Sequence, residues 1–417
     1  MYKKNIINNK VIMNIQAFKK ALVNILYLQP AKFIHCNKKK SVVIIGPAYP
    51  LRGGGMSTFN ERMAAEFMNN GHITTIYTFS LQYPNFLFPG TSQYSTEPAP
   101  VNLNINVCIN SINPFNWIKV GNKLKNIKPD IVIVRYWMPF MGPCLGTILR
   151  KIKKNKHTKI ICIADNIIPH EQKIIDKPFT KYFVKPVDAF ITMSQKVMND
   201  LRLFTQKKAK QVLHPLYDNF GEAVSQAEAK SFLNIDANKK TILFFGFIRH
   251  YKGLDILFEA IKNIKEANFN FYKQIQIVIA GEYYEDEIKY TSLITDYKIE
   301  DAIVLKTNFI TDSEVKYYFC AADVVIQPYR NATQSGVTPL AYHFNKPMIV
   351  TNVGALASNV PHGSVGLVCE PNANSIASTI FDFYNLNQNL LVENIKEEKK
   401  KYSWQVFINT ILNLAQQ

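Results

Sequence analysis

This chain lacks paired cysteines and any long apolar run. Its six cysteines, at positions 36, 108, 144, 162, 320 and 369, show no paired spacing. That pattern excludes a zinc site and a disulfide framework, and it fits a reducing compartment. The most apolar window, 131–149, contains an arginine, two prolines and two glycines, so it does not predict a membrane span. Residues 21–28 follow lysines but lack a small-residue cleavage site, and we predict no signal peptide.

Motifs of several enzyme classes are also absent. The chain has no GxGxxG and no Walker A loop, which argues against a nicotinamide dinucleotide or P-loop site. It has no HExxH, no GxSxG and no clustered Cys and His. No Asp-x-Asp pair is available to hold Mg²⁺ on a diphosphate, and we expect the acidic run EYYEDE (282–287) to be the exposed start of a helix. If the protein is an enzyme, this pattern predicts chemistry without a metal or another cofactor.

Positive charge is concentrated in the first half of the 417 residues. Residues 1–213 carry 31 Lys and Arg against 9 Asp and Glu, whereas residues 214–417 carry 18 against 22. A basic half suggests an anionic membrane or a nucleic acid as partner, although an ordinary solvated surface would have the same composition. Because no ribonucleoprotein motif, zinc knuckle or helix-turn-helix spacing is present, we expect no nucleic acid.

Strands and helices alternate along the chain. Continuous apolar segments such as SVVIIG (41–46) and TILFFG (241–246) predict buried parallel strands with helices between them. The chain is too long for one ordinary core, so we predict an α/β protein with two Rossmann-like domains that face each other across a cleft. The predicted parts are a basic extension (1–40), a first domain (41–213), a connection (214–240), a second domain (241–390) and a C-terminal helix (391–417).

The segment from Ala322 to Gly354 is the most informative one. It has the pattern of a strand, a polar loop, a short helix and a second strand, and its loop lies where open α/β sheets hold ligands. Ser335 is a candidate N-cap. The helix face that would pack on the sheet has the spacing i, i+3, i+4 and i+7, and it consists of Val337, Leu340, Ala341 and Phe344. A crossover without any ligand would show the same spacing, so both interpretations stay open.

A run of glycines follows the first predicted strand and opens a helix. Glycine lets the backbone approach a ligand closely, and the helix dipole favours a phosphate or a sugar hydroxyl nearby. A plain tight turn would have the same composition. We call this run the glycine loop; it consists of Gly53, Gly54 and Gly55.

Two more loops carry side chains suited to a ligand. Arg249 and Lys252 follow Gly246 at the end of a second-domain strand, so both cations could reach one diphosphate, or both could be solvated. His170 follows a first-domain strand, where it could contact a sugar hydroxyl, act as an acid or base, or be structural.

Taken together and in this order, these segments resemble the family 4 glycosyltransferases of the GT-B fold, and most of all the bacterial cell-surface polysaccharide branch. The resemblance covers residues 41–390, with GPAYPLRGG (46–54) and ATQSGVTPLAYHFNKP (332–347) as its most specific parts. It implies a hexosyltransferase-type enzyme that moves a sugar from a nucleotide-sugar to a glycan or lipid-linked acceptor, with retention of configuration and without a metal. The second domain would bind the donor and the first domain the acceptor, with the C-terminal helix crossing back.

The resemblance also implies roles for single residues. The expected catalytic residues are His170, at the donor sugar, with Arg249 and Lys252 at the diphosphate. The residues expected to contact the donor are Gly53, Gly54, Gly55, Gly246, Asn308, Phe309, Ile310, Tyr329, Gln334, Ser335, Gly336 and Val337.

Two features depart from the family pattern. The family commonly places an arginine directly after the strand-ending glycine, where this chain has Phe247. Its usual pair of glutamates would fall near Ala332 and Leu340, and neither residue is acidic. We therefore expect Gln334 or Tyr329 to substitute for a glutamate.

A membrane location would explain the basic first half. Residues 134–159 join an aromatic and apolar segment to a cluster of lysines, which suits docking on anionic headgroups, as does the extension at 1–40. The same segment could instead be a core helix followed by a solvated turn. We expect a cytoplasmic protein at the inner face of the cell membrane.

Two rival functions remain at this point. One is another GT-B enzyme, such as an epimerase or a phosphorylase. The other is a catalytically silent scaffold, which the missing glutamates would permit.

Overall fold

The computed structural model of the protein describes residues 39–53, 55–84, 92–169, 173–332 and 335–416. Nearly all of the basic extension, residues 1–40, lies outside these ranges. So do Gly54, His170 and Gln334, for which the expectations above stay predictions.

The first half of the described chain is built on a parallel sheet. Its strands are β1 (Ser41–Ile45), β2 (Ile73–Leu81), β3 (Ile105–Asn110), β4 (Ile131–Tyr136), β5 (Lys159–Ala164), β6 (Ala189–Thr192) and β7 (Ala209–Gln211). Over the described residues they pair in the order β3-β2-β1-β4-β5-β6-β7. The apolar segments predicted as strands are confirmed, and only the short β7 was not predicted.

Helices cover both faces of this sheet. They are α1 (Met56–Asn69), α2 (Pro114–Ile127), α3 (Gly142–Lys153), α4 (Asp176–Val184) and α5 (Gln195–Arg202). The apolar face of α1 is buried, with Phe59, Met63 and Phe67 in the core. The helix ends before Gly71, whose φ of +81° suits a residue without a Cβ.

The second half repeats the arrangement. Its strands are β8 (Lys240–Phe245), β9 (Ile275–Ala280), β10 (Ile303–Lys306), β11 (Val324–Gln327), β12 (Met348–Thr351) and β13 (Gly366–Cys369). In the described ranges they form a parallel sheet in the order β10-β9-β8-β11-β12-β13. The helices from the connection onward are α6 (Gln226–Phe232), α7 (Leu254–Ala267), α8 (Phe269–Gln274), α9 (Glu287–Asp296), α10 (Val315–Ala321), α11 (Val337–His343), α12 (Leu356–Asn359), α13 (Ala373–Asn385), α14 (Gln388–Glu398) and α15 (Trp404–Gln416).

The order of the strands in each sheet determines where the two candidate loops lie. In the first sheet β1 lies between β2 and β4, and in the second β8 lies between β9 and β11, so the order reverses beside each of these two strands. A crevice forms at the carboxyl end of a parallel sheet where its order reverses. The glycine loop follows β1, and the loop with Arg249 and Lys252 follows β8. Both candidate loops therefore lie at such a crevice.

The C-terminal helix crosses back to the first half, as predicted. The Trp404 ring on α15 lies 4.8 Å from the ring of Phe59 on α1. Its indole N–H donates a hydrogen bond of 2.7 Å to the Leu216 carbonyl oxygen, in the chain segment that connects the halves. The last helix thus contributes to the core under the first sheet.

The segment proposed to dock on a membrane is a strand, a turn and α3. Its apolar side chains are mostly buried in the core, including Leu145, Ile148 and Leu149. The basic residues lie at the carboxyl end of α3, where Arg150, Lys151 and Lys153 also complement the helix dipole. No helix among the described residues is long and apolar enough to cross a membrane.

Candidate active site

A first cavity of about 400 Å³ opens between the carboxyl ends of the two sheets. Both halves contribute to its walls, which brings together residues separated by nearly 300 positions in the chain. The predicted residues that line it are Gly53, Gly55, Gly246, Lys252, Phe309, Ile310, Tyr329, Ser335, Gly336 and Val337.

The glycine loop lies against the second half. A Cβ on Gly53 would lie 2.5 Å from the carboxylate oxygens of Asp312, so a side chain at this position would have to displace that carboxylate. Gly55 has a φ of +55°, and its carbonyl oxygen accepts a 2.8 Å hydrogen bond from the Tyr217 hydroxyl. The absence of side chains therefore lets this loop close one wall of the cavity.

Lys252 is a buried cation at the cavity wall. It ends a short 3-10 turn after β8, and its ammonium lies 5.7 Å from the ring centroid of Tyr329. Burial, with the charge of Arg249 as the second cause, lowers the Lys252 pKa to about 7. Gly246 has a φ of +92°, and a Cβ there would lie 2.8 Å from the Lys252 Nζ atom, so glycine makes room for the cation.

Arg249 points into a different space. It lines a second cavity of about 610 Å³, and its guanidinium lies 4.9 Å from the ring centroid of Tyr284. The two cavities adjoin, since Gly53, Met56 and Phe247 line both. The structure thus places the two predicted cations on either side of a shared wall.

The turn before α11 forms another wall of the first cavity. The Ser335 Oγ accepts a 3.2 Å hydrogen bond from the Val337 N–H, at the first residue of α11. The N-cap residue is Gly336, however, so the prediction of Ser335 as N-cap was wrong by one residue. The predicted inward face of α11 is buried in the core. Tyr329 is buried beside this turn, and burial raises the pKa of its hydroxyl, which stays protonated.

The segment 308–310, which was expected to contact the donor, lines two different cavities. Phe309 and Ile310 line the first cavity. Asn308 lines a third cavity of about 520 Å³, which shares Glu282 and Phe309 with the first.

The two positions where the family has glutamates lie in apolar surroundings. Ala332 and Leu340 are both buried in the core. The carboxylates at the first cavity come instead from Glu282 and Asp312, which the sequence analysis did not predict.

The expectation of an exposed helix start for the acidic run 282–287 was right for its last three residues, which are exposed, and wrong for Glu282. Glu282 is buried beside the cavity, and α9 begins only at Glu287, with Asp286 as its N-cap. The cause is the position of Glu282 directly after β9 and Gly281, at the carboxyl end of a buried strand. That position was the signal in the sequence, because such strand ends meet at the crevice.

Arg52, also not predicted, joins the halves. Its guanidinium forms a 2.9 Å ion pair with the Glu282 carboxylate, and the two side chains are 9% and 10% exposed. It also lies over the Phe309 ring, 4.3 Å from the centroid. Nearby, the Thr58 hydroxyl donates a 2.8 Å hydrogen bond to Asp312. These contacts hold the first half against the second at the cavity.

The described residues contain no group of three or more His, Cys, Asp and Glu that could hold a metal ion. The lining of the first cavity offers a buried lysine that can bind an anion, with backbone and hydroxyl groups around it.

Known proteins match both the sequence and the shape. Residues 239–385 match the family model described as "Glycosyl transferases group 1". An uncharacterized glycosyltransferase of Methanocaldococcus jannaschii is 26% identical over 296 residues, which are 70% of this chain and 76% of that protein. The O-antigen chain mannosyltransferase C of Escherichia coli is 20% identical over 78% of this chain and 82% of its own length.

Solved structures show the same fold. A sucrose-phosphate synthase from Thermosynechococcus elongatus superposes with a TM-score of 0.69 at 15% identity, over 91% of this chain and 99% of that one. The Anabaena protein HepE, solved with UDP and glucose, gives a TM-score of 0.65 at 13% identity over 89% and 98% of the two chains. The fold is therefore GT-B, as the resemblance implied. The sequence relatives show in addition that the protein is a glycosyltransferase enzyme.

Proposed function

We infer that this enzyme is a retaining, metal-independent family 4 glycosyltransferase of the cell-surface polysaccharide branch. It takes a sugar from a nucleotide-sugar in the first cavity and passes it to a glycan or lipid-linked acceptor. The observation that carries this proposal is Lys252, a cation buried beside Gly246 in a cavity that both halves close. In the described ranges no carboxylate pairs with this buried cation. A diphosphate would supply the negative charge that balances it.

The proposed reaction is a displacement on one face of the sugar. The bond from the anomeric carbon to the β-phosphate oxygen breaks, and the bond from that carbon to the acceptor oxygen forms. The departing phosphate oxygen takes the acceptor's proton, so no paired acid and base are needed. Lys252 and Arg249 stabilise the charge that develops on the leaving diphosphate, and His170 orients the donor sugar.

The donor contacts of the usual glutamates need other residues. Tyr329 lines the first cavity with its hydroxyl 3.5 Å from the Ser335 Oγ, and together with Gln334 it is our candidate for this substitution. The relatives' names support a polysaccharide role. They include the O-antigen mannosyltransferase and a lipopolysaccharide core biosynthesis mannosyltransferase of Rhizobium meliloti, which is 23% identical over 45% of this chain.

The first experiment is a screen of nucleotide-sugars for donor hydrolysis and transfer by the full chain. Lys252→Ala should lower turnover by about a thousandfold or more with the fold intact, because the leaving group loses its buried cation. The matched control is Lys262→Ala, a half-buried lysine on α7, outside the first cavity, whose pair with Glu266 spans 3.7 Å. A nearly normal rate for Lys252→Ala would remove this residue from the site.

Calorimetry and product analysis on the same protein distinguish the rival functions. Complete absence of nucleoside diphosphate binding in calorimetry would favour a silent scaffold. Release of an epimerised nucleotide-sugar, or of a sugar phosphate, would favour the other GT-B enzymes.

We also infer that the enzyme works at the cytoplasmic face of a membrane. The observation in support is the row of exposed lysines after α3, including Lys154 and Lys156. Flotation with liposomes should show binding that needs anionic lipid and that weakens when Lys151, Lys154 and Lys156 are changed to Gln. Binding that is equal with and without anionic lipid would count against docking.

A further inference from the structure

We propose that the second cavity binds the acceptor, and that it receives an uncharged sugar ring on the face of Trp137. This rests on the proposed function, since a transferase needs a second substrate beside the donor. Gly53, Met56 and Phe247 line both cavities, so the two cavities adjoin and a molecule in the second lies next to the donor in the first. A volume of about 610 Å³ is within the range of small-molecule sites.

The walls of the second cavity suit a sugar ring. Four aromatic side chains line it, namely Tyr83, Trp137, Phe247 and Tyr284. A pyranose has apolar C–H faces and a polar edge of hydroxyls, so its face packs on an aromatic ring while its edge finds polar groups. The polar groups available include the Ser57 hydroxyl and the Gln82 amide.

The charges argue for a neutral ring. None of the described residues that line the second cavity is an Asp or a Glu. Of its two arginines, Arg52 is paired with Glu282, and Arg249 is close enough to Lys252 to lower the pKa of that lysine. Arg249 therefore stands at the border with the donor, where the diphosphate would use it. Once the diphosphate uses Arg249, as the proposed function requires, no cation of the described lining is left for an acidic sugar or a lipid phosphate.

Hydrogen bonds and ring packing support the aromatic wall. The Trp137 indole N–H donates a 2.6 Å hydrogen bond to the Tyr83 hydroxyl, and the Phe79 ring packs edge-on against the indole at 6.2 Å. The Gln93 side chain holds the Tyr83 backbone, accepting from its N–H at 3.2 Å and donating to its carbonyl oxygen at 2.9 Å. A rigid wall binds better because little side-chain freedom is lost on binding.

The test compares two tryptophans of this chain in the full-length enzyme. Trp137→Leu should raise the KM for a neutral glycoside acceptor by about tenfold or more, because the stacking face is lost, while donor KM and donor hydrolysis stay unchanged. The control is Trp117→Leu. That indole, on α2, also donates a hydrogen bond, of 2.7 Å to the Asn110 carbonyl oxygen, but it lies outside both cavities. Equal acceptor KM values for the two variants would overturn the proposal.

A second panel identifies the acceptor class. Neutral glycosides, uronic acid glycosides and a polyprenyl phosphate are offered with the same donor. We expect transfer to neutral rings, and exclusive transfer to the acidic sugar or the lipid phosphate would overturn the assignment.

A binding readout keeps the proposal testable without turnover. The chain has three tryptophans, so Trp117→Phe with Trp404→Phe leaves Trp137 as the sole indole. Its fluorescence should change on titration with a neutral glycoside, and an unchanged spectrum at saturating acceptor would contradict stacking. Donor hydrolysis is measured separately. If the wild-type enzyme hydrolysed no nucleotide-sugar, the proposed function itself would be rejected.

Discussion

Lys252 shows how one residue can be tuned by its surroundings. In water a lysine is charged up to about pH 10, but burial and the neighbouring Arg249 lower the pKa of Lys252 to about 7. A bound diphosphate acts in the opposite direction, because a nearby negative charge favours the ammonium form. Donor binding should therefore be coupled to uptake of a proton.

The sign of this coupling gives a prediction. Below pH 7 the free enzyme already carries the charge, whereas above it part of the binding energy is used to protonate Lys252. The affinity for UDP-glucose or GDP-mannose should then fall as pH rises from 7 to 9, by up to about tenfold per pH unit. Calorimetry in buffers of different ionisation enthalpy measures both the affinity and the proton uptake.

Matched variants make this measurement specific. Lys252→Gln is neutral at every pH, so its weaker binding should lose the pH dependence, while Lys262→Gln should keep the wild-type profile. A wild-type affinity that is flat between pH 7 and 9 would contradict the role given to Lys252.

At the scale of elements, the spacing of apolar residues in the sequence correctly predicted buried strands and the buried face of a helix. The segment DVVIQPY (323–329) contains β11, because a continuous apolar run suits a parallel strand that is buried on both faces. The loops after such strands were then expected at the carboxyl edge, and Gly246, Lys252 and Ser335 are found there. The helix face of α11 followed from its spacing in the same way.

Contacts between the halves could not be predicted in this way. Glu282 and Trp137 line the cavities because two separate sheets face each other, and no local pattern records which loops then meet. The split of Arg249 and Lys252 into adjoining cavities has the same origin. Their spacing of three residues was known, but two of the three residues that line both cavities, Gly53 and Met56, come from the other half.

The Arg52–Glu282 pair is the contact between elements that can be tested most directly. It joins the loop after β1 to the end of β9, and it is largely buried. Removing one partner of a buried pair leaves an uncompensated charge, which costs about 3–5 kcal/mol, whereas removing both is much less destabilising. Arg52→Met should therefore lower the free energy of unfolding by about 3 kcal/mol. Adding Glu282→Gln to the same chain should restore most of it.

Denaturant unfolding of the two single variants and the double variant measures this coupling. An exposed pair, Lys273 and Asp301 at 3.3 Å, supplies the control, and Lys273→Met should cost less than about 1 kcal/mol. Strictly additive losses at Arg52 and Glu282 would show that the two charges do not act together. Because Arg52 precedes the glycine loop, its loss should also raise the donor KM.

At the scale of the whole molecule, α15 ties the end of the chain to its beginning. The helix leaves the second half and packs on α1 and the first sheet. Phe407 is fully buried there, with its ring 5.5 Å from that of Phe59, while Val406 on the same helix is 47% exposed. The core of the first half thus includes side chains of α15, a helix that follows the second half in the chain, so the stability of the first half should depend on this helix.

This dependence leads to a prediction on stability. Phe407→Ala removes a buried ring and leaves a cavity at the contact with α1, which should lower the free energy of unfolding by about 3–5 kcal/mol. Val406→Ala, one residue away and exposed, should cost less than about 1 kcal/mol. Thermal and denaturant unfolding, followed by circular dichroism and by tryptophan fluorescence, measure the two changes. If α15 belongs to one cooperative unit with the first sheet, both probes should shift together for Phe407→Ala. Equal, small losses for the two variants would mean that the crossing helix adds little to the core, and that the first half folds without it.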